Sequence, residues 1–136
     1  MNMNHPAILF PTQYKEFVEA YKEAALWSST DDDGLALYHD KYADYTWSKD
    51  AKKRIDDDCM KFFNMAYPII YVNVSLAGRD FWLTRNGHGA GFWEGEWAYP
   101  SLDFDIENCG DFLTAAAKKY GELYVYPYAY GLFNIE

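Results

Sequence analysis

Apolar residues recur along the first part of the chain with the period of an α-helix. Tyr14, Phe17, Val18, Tyr21, Ala24 and Ala25 share one face, and Lys15, Glu16, Glu19, Lys22 and Glu23 take the other. With Thr12 as N-cap, the pattern predicts a helix over residues 13–27. Ala51, Ile55, Cys59, Phe62, Phe63 and Ala66 repeat it after a cap at Thr46 or Ser48, which predicts a second helix over 49–66 that ends near Pro68. Asp111 caps a third over 111–120, closed by Lys118, Lys119 and Gly121. Residues 1–11, with two prolines, read as an extended arm, and residues 35–45 as one or two turns of helix.

Elsewhere the period drops to two. Ile70, Val72 and Val74 alternate with Ile69, Tyr71 and Asn73 as a β-branched strand would. Tyr124, Tyr126, Tyr128 and Tyr130 alternate with Leu123, Val125, Pro127 and Ala129, which puts the tyrosines on one face of a strand that Pro127 shortens or confines to a sheet edge. That face suits recognition and packing under a helix equally well. Between these lie Phe81-Trp82-Leu83-Thr84 and Phe92-Trp93, aromatic runs around Arg85-Asn86-Gly87-His88-Gly89-Ala90-Gly91. Aromatic residues favour a pleated sheet and Asn-Gly is a strong turn signal, so residues 81–93 are expected to form a central hairpin. The order predicts an α+β fold: one domain over 1–136, with a small, mostly antiparallel sheet built on that hairpin and covered by the three helices. Phe17, Tyr21, Ile55, Phe62, Leu83 and Leu113 are the expected core.

Composition narrows the class. The chain has 136 residues, half of them apolar and a fifth aromatic, enough for a core without disulfides. Cys59 and Cys109 are isolated thiols with no C-x-x-C spacing, and the chain shows no apolar signal segment, which points to a reducing, cytoplasmic setting. No apolar run approaches the roughly 18 residues of a membrane span, so no membrane partner is expected. Twenty-one acidic against 12 basic residues give a formal net charge of −9, which disfavours direct nucleic-acid binding over a broad surface. A small acidic domain can instead occupy a basic, nucleic-acid-binding groove on another protein. Asp103, Asp105 and Glu107, alternating with Leu102, Phe104 and Ile106, are the stronger candidates for such a contact. Asp56, Asp57 and Asp58 have Lys52, Lys53 and Arg54 one turn away.

Familiar catalytic motifs are missing, with no P-loop, H-E-x-x-H, G-x-S-x-G or Cys/His metal spacing, and no cofactor is expected. Ser29, Asp31, Asp33, Leu37 and Asp40 match an EF-hand register around Gly34, but Ser begins it and a short Asp ends it, so an acidic turn competes with a calcium loop. Arg85, Asn86 and His88 combine a fixed cation, an amide and a titratable imidazole on a glycine-rich loop between Trp82 and Trp93. Such a set binds anions or moves protons if it is a site, and is a polar tip if it is only a turn.

Leu26-Trp27-Ser28-Ser29-Thr30-Asp31-Asp32-Asp33-Gly34, followed by Asp80 and the run from Phe81 to Trp93, resembles a family of small proteins encoded by tailed bacteriophages. Ala116-Ala117-Lys118-Lys119-Tyr120-Gly121 and the strand at Tyr124 resemble the same family, so the likeness spans most of the chain; residues 67–74 and the tyrosine tail depart from it. The resemblance implies a phage origin and a host-cytoplasmic setting, and no reaction. The expectation is an accessory protein that binds and inhibits or redirects a host protein, a nucleic-acid-processing or defence factor being one class. The alternative is a small enzyme or nucleotide- or anion-binding protein centred on Arg85, Asn86 and His88. A virion component fits less well, because the chain has no repeat and no coiled-coil segment.

Overall fold

The computed structural model describes residues 5–98, 106–129 and 131–136, with backbone alone for 106–108. Among these residues the order is α1 (Pro6–Leu9), α2 (Pro11–Trp27), β1 (Thr46–Trp47), α3 (Lys49–Ile70), α4 (Val74–Arg85), α5 (Ile106–Lys118), β2 (Val125–Tyr128) and β3 (Leu132–Ile135). Short 3-10 turns lie at Asp40–Tyr42 and Phe92–Glu94. The fold is α+β, with the strands in one sheet of order β1-β3-β2. β2 and β3 pair antiparallel from Val125↔Ile135 to Tyr128↔Leu132, while β1 adds to β3 in parallel through Thr46 and Trp47.

The predicted faces of the helices are the buried ones. Phe17, Val18, Tyr21, Ala24 and Ala25 of α2 are buried, as are Ala51, Ile55, Cys59, Phe62, Phe63 and Ala66 of α3. Their limits differ from expectation at four places. Pro11, not Thr12, opens α2, because a fixed φ suits the first helical position and its missing N–H is not needed there. Residues 6–9 form a helical turn, where an extended arm was expected, and the Ala7 amide donates to Asn64 Oδ1 at 2.8 Å. α3 runs through Pro68 to Ile70, because Ile69 and Ile70 extend its buried face and outweigh the hydrogen bond that proline forfeits. α5 begins at Ile106, so Asp111 lies inside it and not at its cap.

The larger correction concerns residues 69–93. There is no strand at 69–74 and no hairpin at 81–93. Asn73 caps α4 by accepting from the Leu76 amide at 3.1 Å, and the helix carries Phe81 to Arg85 in its last turns. Val74, Ala77, Gly78, Phe81, Trp82 and Arg85 all face the core, and Asp80, Leu83 and Thr84 are buried as well. α4 is therefore wrapped on nearly every side at its C-terminal end, which removes the polar stripe that marks a surface helix. Asn-Gly is its terminator. The amides of Gly87 and His88 donate back to the carbonyls of Thr84 at 3.3 Å and Leu83 at 3.1 Å, and Gly87 takes φ +68°, the bonding of a Schellman cap.

α4 packs most extensively on α2, where the two backbones come so close that a side chain at Gly78 would strike the Phe17 carbonyl. Phe62 stacks on Phe81 with centroids 4.1 Å apart, and Phe17, Phe92 and Tyr120 surround the pair. The six expected core residues all belong to this single buried cluster. β3 ties the sheet to the same body: Phe133 is buried among Tyr42, Tyr45 and Trp47. Among the described residues the hairpin is thus the C-terminal pair of strands, β2 and β3, with Gly131 before β3 at φ +79°.

Candidate functional site

Arg85 is a buried joint. Its side chain is fully shielded from solvent, and its Nε donates to the Gly121 carbonyl at 2.8 Å. Nη1 donates to the Tyr21 hydroxyl at 3.1 Å and to Asp58 Oδ2 at 2.8 Å, and Nη2 to the Tyr120 carbonyl at 2.8 Å. The guanidinium plane also lies over the rings of Phe81 and Tyr120, at 5.7 and 5.5 Å. The charge makes this possible: a planar fork with five donors can meet acceptors on three elements at once, which no other side chain does. Asn86 completes the joint, its Nδ2 donating to the Trp82 carbonyl at 2.9 Å and its Oδ1 accepting from the Leu123 amide at 2.7 Å.

Trp82 is buried with its Nε1 donating to Ser28 Oγ at 2.9 Å, which joins the stretch from Leu26 to Gly34 to the stretch from Asp80 to Trp93. Gly91 is needed for close approach, since a side chain there would meet Thr84 Oγ1 and the Trp93 ring. Trp93 is exposed, and His88 is half-buried. Of the expected trio, then, Arg85 is wholly internal, while Asn86, although its amide is committed to internal bonds, borders a cleft together with His88. Asp103 and Asp105 lie outside the described residues; Glu107 falls in the first turn of α5, its side chain likewise outside them. In α3, Lys53 and Arg54 pair with Asp57 and Asp58 at 2.7 and 3.9 Å, while Asp56 accepts from the Tyr14 hydroxyl at 2.7 Å.

Asp31 settles into an acidic turn. Its Oδ1 accepts from the amides of Asp33 at 3.0 Å and Leu35 at 2.9 Å, and its Oδ2 from the Tyr42 hydroxyl at 2.5 Å. These bonds hold the Asp31 carboxyl below its ordinary range, and the Tyr42 bond pushes that phenol up to about 12. Both oxygens of Asp31 therefore serve the turn itself. Among the described residues no group of three or more His, Cys, Asp or Glu side chains converges to hold a metal. Cys59 and Cys109 are free and buried, and burial raises the Cys59 thiol well above its ordinary value.

Two clefts open on either side of Tyr124. One, of about 430 Å³, is lined by Ser28, Ser29, Thr30, His88, Glu122 and Glu136 among others; the other, of about 350 Å³, by Asp31, Asp32, Asp33, Lys41, Tyr42 and Tyr126. Between them runs the outer face of β2. The mutual hydrogen bonds of Tyr124 and Glu136, at 2.8 and 2.9 Å, continue the strand pairing, and Val125 turns its side chain into the core. Tyr124 and Tyr128 are therefore exposed, at 55% and 48%, and Tyr126 is half-buried between them. The rings of Tyr124 and Tyr126 stack at 5.6 Å, and Tyr126 is steadied by its own hydroxyl, which donates to Glu136 Oε1 at 2.9 Å and accepts from Asn134 Nδ2 at 3.0 Å. Of the two arrangements open to the tyrosine row, Tyr124 and Tyr128 take the solvent-facing one, and Tyr130 lies outside the described residues. Pro127 sits in this edge strand and has no amide proton to offer another strand.

Sequence reasoning placed the tyrosines on one face but did not join them to Asp32, Asp33, Glu122 and Glu136. The available signal was the Asp run at 31–33 and the Tyr alternation; what was missing was β3, which folds the tail back and brings Glu136 beside Tyr124. No helix among the described residues is long and apolar enough to cross a membrane. No protein-family model matches the chain, and neither the curated proteins nor the solved structures contain a match to it.

Proposed function

We propose that the protein is a protein-binding module whose working surface is the tyrosine face of β2 and its acidic border, directed at a basic surface of a partner. One observation carries this reading: Tyr124 and Tyr128 stand exposed along β2 and the residue before it, and Tyr124 borders Asp32 and Asp33 on one side and Glu122 and Glu136 on the other. Rigid exposed tyrosines supply contact area at little entropic cost, and acidic residues around them steer a basic partner and fix its orientation. The net charge of −9 acts in the same direction. With the tailed-phage resemblance, this becomes an accessory protein that inhibits or redirects a host protein in the cytoplasm, one with a basic nucleic-acid-binding groove being the best complement.

A small enzyme or an anion-binding protein centred on Arg85, Asn86 and His88 would require Arg85 to abandon four internal acceptors and Asn86 two internal bonds. The test is capture from host-cell extract by the wild-type protein, by Tyr124→Ala/Tyr128→Ala and by Glu16→Gln/Glu19→Gln, the last removing charge from α2 instead. A partner held by the wild type and the α2 variant, lost from the tyrosine variant and displaced by duplex DNA is the expected result. Equal capture by all three refutes the assignment of the surface.

A further inference from the structure

We infer that the tyrosine face is built to recognise arginine side chains, one in each of the two clefts that flank Tyr124; this rests on the protein-binding reading and names the group that is bound. The clefts share Tyr124 as a common wall, and both are bordered by carboxylates: one by Glu122 and Glu136, the other by Asp31, Asp32 and Asp33. A cation is the complement in both. A guanidinium suits them better than an ammonium because each cleft pairs carboxylates with the ring of Tyr124, and arginine alone can stack its plane on a tyrosine while its edge donates two parallel hydrogen bonds to a carboxylate.

The free carboxylates are identifiable. Asp31 is committed to the Tyr42 hydroxyl and to two backbone amides, whereas Asp32 and Asp33 are exposed and their side chains make no hydrogen bond or ion pair with another described residue. The chain already places one of its own cations on this ground: Lys41 Nζ stands 4.0 Å from Asp31 Oδ2 and 5.4 Å from the centre of the Tyr42 ring. Lys41 answers the inner carboxylate and the Tyr42 face, leaving Asp32, Asp33 and the Tyr124–Tyr126 stack for a cation from outside. On the other side Ser28, Ser29 and Thr30 add short hydroxyl-bearing side chains that suit the remaining donors of a guanidinium, and Tyr126 holds Glu136 in place. Because Pro127 removes a donor from this short edge and so weakens any added strand, side chains more than β-pairing would carry the contact.

The experiment uses the full chain and short fluorescent peptides that alternate glycine with arginine, lysine or citrulline, followed by anisotropy at low salt and by NMR shifts of the tyrosine rings. The arginine peptide is expected to bind saturably, the lysine peptide several-fold more weakly, and the citrulline peptide not at all. Asp32→Asn/Asp33→Asn and Tyr124→Ala should each weaken the arginine peptide about tenfold, while Glu16→Gln/Glu19→Gln, which removes the same charge from α2, should change it less than about twofold. Equal loss from the two charge variants would mean attraction to the overall field alone and would overturn the inference, as would citrulline binding or no saturable binding. Lysine binding as tight as arginine would overturn the guanidinium assignment. Absent peptide binding together with tyrosine-dependent partner capture would refute this inference and leave the binding surface standing; peptide binding with tyrosine-independent capture would do the reverse.

Discussion

Arg85→Ala is expected to be one of the most damaging single substitutions in the protein, although the residue lies in a glycine-rich segment that resembles a surface turn. The substitution removes four hydrogen bonds and leaves the carbonyls of Tyr120 and Gly121, the Tyr21 hydroxyl and Asp58 without their cation. Removing one partner of a buried ion pair costs about 3–5 kcal/mol. Asp58 retains 21% exposure of its side chain and keeps Arg54 at 3.9 Å, and both favour the low end. Loss of the guanidinium from the faces of Phe81 and Tyr120 adds about 1 kcal/mol. The sum, about 4 kcal/mol, is a large share of the roughly 5–15 kcal/mol that stabilises a typical domain. Urea unfolding followed by circular dichroism, at unchanged slope, measures it. Arg85→Lys is the safeguard if the alanine variant does not fold. One ammonium cannot reach the four acceptors of the fork, so lysine should still lose about 2 kcal/mol. A loss below about 1 kcal/mol for alanine would refute the view of Arg85 as a joint and reopen it as a ligand-binding cation.

Gly78→Ala should destabilise by about 2 kcal/mol or more, because the new methyl meets the Phe17 carbonyl and α2 must move; Gly34→Ala, with φ +84° and open space around it, should cost only about 1 kcal/mol in the same melts. Phe62→Ala should lose about 3–5 kcal/mol, since Phe62 is fully buried and stacked on Phe81, and a loss under 1 kcal/mol would take α3 out of the core. Asp80, 2% exposed, has its carboxyl pushed up by burial to about 6, with Arg79 at 3.7 Å opposing and Glu94 reinforcing the shift. A carboxyl raised in the folded state above its unfolded value of 3.8 favours folding most below that value and loses the benefit as pH rises through 6. Wild type should therefore gain on Asp80→Asn in melting temperature as pH is lowered from 7 to 4, by the equivalent of about 2–3 kcal/mol at most, and parallel curves for the two proteins would remove Asp80 as the cause.

Periodicity made α2, α3 and α5 legible because each buries one face and exposes the other, so that positions such as Phe17/Tyr21 and Ile55/Phe62 are marked by their polar neighbours. α4 was illegible for the opposite reason. Packed against α2, α3, α5 and the turn at Phe92–Glu94, it has too little polar surface to show a period, and a short aromatic run without contrast resembles a strand. Asn86-Gly87 gave the right kind of signal, a positive φ at the glycine, in the wrong context, since a helix cap and a hairpin turn ask for the same residue. Val74, Ala77, Phe81, Trp82 and Arg85 do keep helical spacing, but only if an arginine is admitted to the buried face. The candidate site was half visible. Glu122, Tyr124, Tyr126 and Tyr128 fall on one alternation, whereas Glu136, Ser28 and Asp32 reach them only through tertiary contacts that local pattern does not encode.

The joint at Arg85 and Asn86 has a consequence for genetics. Its bonds end on Tyr120, Gly121 and Leu123, the hinge from which β2 departs, so it sets where the tyrosine face stands on the helical body. A screen for lost binding would return Arg85 and Asn86 among its strongest hits and invite their assignment as contacts. Their defects should nevertheless be conditional, fading in the cold or with a stabilising second substitution elsewhere, whereas a defect at Tyr124 should persist at every temperature at which the protein is folded.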